Sequence, residues 1–385
     1  MKYPVLACTL VVLVGCSTSS ETKTTTAITT SPASSPAPAA SASMLPGMPA
    51  VEDPADIYAA DHAGNLSATV RAYPSRVYVP NSGDNTVDVI DPKTFKVIAH
   101  FSSGGREPQH VVPRYDLKKL WVINDLGDSA TDIDPATGAR GKTIKVEDPY
   151  NMYYTPNGKF AIVVAERKQK LNFLDPETMA LVESVPVSCP GIDHMDFTAD
   201  GRYLIASCEF SAELLKVDVA THQIVGNLKL EKGGMPQDVK TSPDGKVFYV
   251  ADMMANGIYL IEPDSFTRIG FIATGKGTHG LYVSRDSKVL YISNRGEGSV
   301  SLLNLATRQL VGKWVIPHGG SPDMGGVSAD GTQLWLSGRY HKEVYVFDTA
   351  DGHLLARIPV GKGPHGLCVY PQPGRYSLGH TGVYR

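Results

Sequence analysis

The sequence predicts an all-β chain folded as a seven-bladed β-propeller of four-stranded antiparallel blades. Three observations carry that expectation: a repeat of about 42 residues, short β-rich runs at even spacing within it, and Gly-containing turns at a fixed offset. Seven stretches align without gaps on Pro108, Pro149, Ile192, Pro236, Thr278, Pro322 and Pro364, at spacings of 41 to 44 residues. About seven residues further on comes a reversal, as in Thr155-Pro156-Asn157-Gly158 and Ser242-Pro243-Asp244-Gly245, where Asp or Asn and Gly supply the backbone angles of a tight turn.

Each turn leads into a second strand such as Val289–Asn294, a third such as Thr86–Asp91 or Glu343–Asp348, and a fourth such as Leu354–Pro359. Seven fourth strands can be counted, while the first blade begins at its second strand, 77–81. The run 367–370 after the last anchor is therefore expected to lend the missing inner strand and close the ring. A competing inner strand at 67–72 would leave that C-terminal run as an extra.

Ahead of the repeats, Met1 and Lys2 precede an apolar run from Val5 to Val14, too short to span a bilayer and matching a secretory signal, so residues 1–15 read as a signal peptide. Leu13-Val14-Gly15-Cys16 resembles the bacterial lipobox, which implies a diacylated Cys16 and a protein held on the extracytoplasmic face of a cell membrane, in the cell envelope. Residues 16–65, rich in Ser, Thr, Ala and Pro, read as a lipid-anchored disordered tether, and residues 66–385 as the propeller. A net charge of -3 gives no polycationic signature, so no nucleic-acid partner is expected.

Tyr78-Val79-Pro80-Asn81, Trp121-Val122-Ile123-Asn124, Tyr249-Val250-Ala251-Asp252 and Tyr291-Ile292-Ser293-Asn294 end four second strands. On these motifs residues 66–385 resemble the YVTN family of β-propellers, and more coarsely the propellers that carry haem d1. The blades containing 161–166 and 204–209 depart from the tetrapeptide, and Trp335-Leu336-Ser337-Gly338 puts Gly in the Asn position. The resemblance implies the fold and no single activity.

In such a blade the loop entering the first strand shares a face with the loop between strands two and three. The two positions after each anchor supply Gln109 and His110, Tyr150 and Asn151, Asp193 and His194, Gln237 and Asp238, His279 and Gly280, Asp323 and Met324, His365 and Gly366. Asp125, Glu166, Arg167, Glu209, Arg295, Arg339, His341 and His318 add to the rim, so that six of the eleven histidines gather at one mouth of the central channel. The opposite face reads as repetitive and bland.

Three readings follow for that mouth. The first is a binding or scaffold module for a small polar ligand, a glycan or a protein partner, with His110, Asn151, Asp193, His194, Asp238, His279, Asp323, His365, Arg295 and Arg339 as the ligand-facing set. The second is a metal or haem site using His110, His194, His279 and His365 with Asp193, Asp238 or Asp323 as ligands or their supports. The third is a hydrolase or lyase with a carboxylate or His base near Arg295 or Arg339. No cofactor is named by the sequence alone. Export permits disulfides; Cys189 and Cys208 lie toward the same face as a candidate pair, and Cys368 reads as a buried thiol.

Overall fold

A computed structural model describes residues 44–380 and 382–385; the signal peptide expected over 1–15 and Cys16 lie outside the described residues. Seven antiparallel sheets follow one another in chain order. Blade 1 holds Arg76–Asn81, Thr86–Asp91 and Lys96–Ser102, and blades 2 to 7 open on Pro108–Pro113, Asn151–Tyr154, Ile192–Phe197, Pro236–Thr241, Thr278–Val283 and Pro322–Val327. In every blade the three inner strands are largely buried, and the fourth is largely exposed in blades 1 to 6 and half-buried in blade 7, as a sheet with one outer edge in water requires.

The aromatic that opens the tetrapeptide explains its recurrence. Tyr78, Trp121, Tyr249, Tyr291 and Trp335 are all buried, filling the wedge between neighbouring sheets with large flat side chains. The tetrapeptide Asn has a different task. Asn81 donates to Thr86 Oγ1 and Asp88 Oδ2, and Asn294 to Ser299 and Ser301 Oγ at 3.0 Å each, tying the end of strand two to strand three. Where Ala165, Cys208 and Gly338 stand instead, that tie is absent.

The ring closes through the C-terminal strand Cys368–Tyr370, which pairs with blade 1 in the register Val77 to Val369 and Tyr78 to Cys368. Residues 67–72 form hydrogen-bonded turns instead of a strand, with Arg71 N–H donating to the Ser67 carbonyl at 3.0 Å. Cys189 and Cys208 are joined as a disulfide across the entry to blade 4, their Cα atoms 5.9 Å apart, and Cys368 is a buried free thiol.

Two segments depart from the sequence reading. The tether expected over 16–65 is too long by about twenty residues at its C-terminal end: from Leu45 onward the chain packs across the turn face. Leu45 N–H donates to Asp200 O at 2.9 Å, Ile57 N–H to Pro243 O at 2.8 Å, and Tyr58 Oη to Thr241 O at 2.7 Å, so this strap crosses blades 4 and 5. A few buried apolar residues, Leu45, Ile57, Tyr58 and Ala60, suffice to dock a segment whose average composition looks unstructured.

The second departure lies beyond the closing strand. Ser377–Gly379 and Val383–Tyr384 form a two-stranded hairpin that pairs with Asn151–Tyr154 on the inner edge of blade 3, making that sheet six-stranded. The hairpin occupies the channel. Arg385 Nη2 donates to Asp196 Oδ1 at 3.1 Å and fixes its far end.

Candidate functional site

The channel residues owe their aim to a repeated irregularity of the inner strands. In blades 2, 4, 5, 6 and 7 the register slips between the anchor and the third or fourth residue of the strand, as where Thr278 faces Asn294 but Leu281 faces Ile292. Such a bulge bends the strand and turns side chains off the ladder. It falls on Gln109, just before His110, and on Asp193 and His194, Gln237 and Asp238, His279 and Gly280, Asp323 and Met324. His110, Asn151, Asp193, His194, Asp238, His279, Asp323 and His365 are all buried in the channel.

These residues divide into two groups. The first is centred on Asp323: His365 Nδ1–H donates to Asp323 Oδ2 at 2.7 Å, and Arg295 Nε–H to Asp323 Oδ1 at 2.8 Å. Arg295 also reaches His279 Nε2, while His279 Nδ1 lies 3.1 Å from Met324 Sδ. Burial alone would raise the Asp323 carboxyl, but Arg295, His365 and His279 outweigh it and hold the group well below the usual carboxylate range. His279 is thus committed to the cation beside it.

The second group was only half visible in the sequence. One ring nitrogen of each of His110, His194 and His380 lies within 4.8 Å of the others, and all three residues are buried. Ring centroids are 4.8 Å apart for His194 and His380, 5.3 Å for His110 and His380, and 5.7 Å for His110 and His194. His380 follows directly on the hairpin strand Ser377–Gly379; its Nδ1 accepts from the Asn151 amide at 3.0 Å and its ring stacks on Tyr153. No repeat period marks it. Its only sequence signal is a histidine between Gly379 and Gly382, in a segment that outlasts the seventh blade.

His110 Nδ1 sits 3.0 Å from the Tyr150 carbonyl, which can only accept, so this nitrogen carries the proton and Nε2 presents its lone pair. That Nε2 has no hydrogen-bond partner, and neither does His365 Nε2 or either ring nitrogen of His194. His194 Nδ1 is 2.7 Å from Asp193 Oδ1, close enough for electrostatic contact but outside hydrogen-bonding alignment. Burial and the neighbouring imidazoles push His110 and His380 well below the usual histidine range, and burial lowers His194, so the three rings are neutral. His365 is lowered to about 4, by burial first and Arg339 second.

The rim is acidic on one side. Burial, then Asp193 and Glu209, push Glu166 up to about 9, and burial with Glu209 and Asp238 holds Asp193 well above its ordinary value. Arg339 is engaged by Ser82 Oγ at 3.1 Å and the Gly363 carbonyl at 3.3 Å, a staple between the last and first blades. Arg167 pairs with Asp148 at 2.6 Å, and His341 contacts Ser321 Oγ, leaving both outside the channel centre.

Comparison with known proteins gives the fold its relatives. The dihydro-heme d1 dehydrogenase of Pseudomonas aeruginosa is 23% identical over 322 residues, covering 78% of this chain and 63% of that protein, so the chain spans just under two thirds of its length. Among solved structures, a chain of Kuenenia stuttgartiensis hydrazine synthase superposes with a TM-score of 0.63 at 21% identity, covering 74% of this chain and 97% of its own. A putative 6-phosphogluconolactonase from Bacteroides uniformis does so with a TM-score of 0.60 at 17% identity, covering 77% of this chain and 100% of its own. At these identities the likeness is one of fold. The model of the YNCE-like β-propeller family matches residues 39–374, and the chain belongs to that family.

Proposed function

We propose that this protein is a binding propeller, lipid-anchored through Cys16 on the extracytoplasmic side of a membrane, whose small ligand sits inside the central channel. The observation that carries the reading is the concentration of unbonded polar atoms there. Both oxygens of Asp193, both ring nitrogens of His194, and Nε2 of His110 and His365 are buried without a hydrogen bond. Such atoms cost about 1–3 kcal/mol each when left unpaired, and six of them in one channel favour a bound species that satisfies them.

The alternatives fit less well. The hydrolase or lyase reading relied on Arg295 or Arg339 to meet developing negative charge, and both are engaged by the protein itself. A haem d1-like group, which the name of the Pseudomonas relative brings to mind, would need room between the rings. Centroid separations of 4.8 to 5.7 Å admit an atom-sized ligand and exclude a tetrapyrrole from that position.

The test is thermal stability of the purified chain against a panel of cations, anions and small polar metabolites. A ligand at a hundred times its Kd adds about 2.7 kcal/mol to the native state, which displaces Tm measurably, and His194→Ala should abolish the displacement. A panel with no stabilising member, together with native mass spectra free of any non-covalent adduct, overturns the reading. For the anchor, Cys16→Ala is expected to move the protein from the membrane to the soluble fraction and to remove an acyl mass from its N-terminus; an unchanged fractionation rejects lipid anchoring.

A further inference from the structure

We propose that His110, His194 and His380 together bind one divalent transition-metal ion, the third imidazole being carried into the channel by the hairpin of Ser377–Gly379 and Val383–Tyr384. The proposal rests on the channel-binding reading above and names the ligand class.

Three neutral imidazoles are the donor set, and His380 joins it by exchanging the hydrogen bond that its Nδ1 accepts from the Asn151 amide for the metal, its Nε2 standing 3.8 Å from Asp238 Oδ1. Metal–nitrogen bonds of about 2.0–2.1 Å place tetrahedral donors about 3.3 Å apart. Nitrogens already within 4.8 Å of one another reach that spacing by small ring rotations. One support that metal-bound histidines use is in place: His110 Nδ1 is fixed by the Tyr150 carbonyl, which aims the Nε2 lone pair away from the backbone. Asp193 stands 2.7 Å from His194 Nδ1, where a small ring rotation would align a second one, and His194 Nε2 is unbonded. Nitrogen donors of this kind favour zinc, copper, nickel or cobalt over magnesium and calcium, which take oxygen.

The fold explains why three ligands come from blades 2 and 4 and from a segment outside the repeats. Blade 3, between them, offers Asn151 at the corresponding position and no histidine. The hairpin lies on the inner edge of that same blade, its Gly379 opposite Tyr153 and His380 N–H donating to the Met152 carbonyl at 2.9 Å. It thereby sets an imidazole where the blade lacks one. His365, whose ring is 4.9 Å from His110 and whose Nε2 is unbonded, is the nearest further imidazole, while Arg295 at its Nε2 keeps His279 out of the set.

The experiment uses the full chain, stripped with a chelator and titrated separately with Zn²⁺, Cu²⁺, Ni²⁺ and Co²⁺. One equivalent is expected by elemental analysis, with Co²⁺ giving the visible absorption of a low-symmetry nitrogen site. His110→Ala, His194→Ala and His380→Ala should each weaken binding by about a hundredfold or more. His380→Gln, closer in size and still polar, guards against loss by misfolding and should weaken it equally with an unchanged circular dichroism spectrum. His353→Ala, in the exposed Asp348, Asp351 and His353 group, should leave affinity unchanged. Stoichiometric binding that survives His380→Gln, or that is lost in His353→Ala, overturns the assignment. Rejection of all four metals by a channel that binds another ligand also overturns it while sparing the binding reading; absence of any ligand overturns both.

Discussion

Asp323 has no solvent contact and holds Arg295, His279 and His365 around one carboxylate. Replacing it with Asn leaves a buried guanidinium without its counter-charge, a loss of about 3–5 kcal/mol in comparable buried pairs. Denaturant unfolding of Asp323→Asn should show that drop, and a change below about 1 kcal/mol would mean the pair is dispensable. Asp61, on the strap itself, behaves in the opposite sense. Burial raises its carboxyl from 3.8 to about 7, against the pull of Arg285 and Arg385. Between those values the folded chain binds a proton that the unfolded chain has released, so this group's contribution to stability falls as pH rises from about 4 to about 7. Asp61→Asn should flatten that part of the profile and gain no more than about 4 kcal/mol at pH 8, measured as the difference between the two unfolding curves. A parallel pair of curves would refute it. Of the channel residues, those that follow an anchor were legible in the sequence because the repeat fixes their height. Their hydrogen-bond roles were not, since His279 and His365 stand at equivalent positions after their anchors and the placement of Arg295 at His279 Nε2 separates them.

At the scale of elements, the hairpin depends on one close approach. Gly379 has a φ of +91°, and a Cβ there would lie 2.5 Å from the Met152 oxygen and the Tyr153 Cα, backbone that cannot step aside. Gly379→Ala is therefore expected to lift the hairpin off blade 3 without unfolding the blades. Hydrogen exchange should quicken at residues 377–384 and stay slow at Val289–Asn294; protection retained at 377–384 would show that the hairpin tolerates the methyl group. The disulfide is the second test. Closing a loop with a sequence separation of 19 is worth about 3 kcal/mol, so Cys189→Ser with Cys208→Ser should lower stability by roughly that amount. A non-reducing peptide map that finds two free thiols would remove the bond itself. Blade strands were legible because β-rich runs, turn residues and fixed spacing agree with one another. The hairpin was not, because two strands of three and two residues carry too little pattern to register.

Across the whole molecule, the strap from Leu45 and the hairpin both close the face that the sequence reading set aside as bland, while the mouth formed by the anchors keeps its charged rim. Among the described residues no helix is long and apolar enough to cross a membrane. The amino-acid sequence by itself determined the seven blades and the shared face of the histidines that follow the anchors, while the choice between 67–72 and 367–370 as the closing strand was left to the structure. Each of these follows from local rules: β-rich runs, turn chemistry and a repeat whose copies fold alike because their sequences are alike. Tertiary structure alone decided which histidines meet. Residues 110, 194 and 380 converge through blade curvature, strand bulges and a hairpin docked by a glycine, and a convergence of segments 84 and 186 residues apart leaves no periodic trace in the chain.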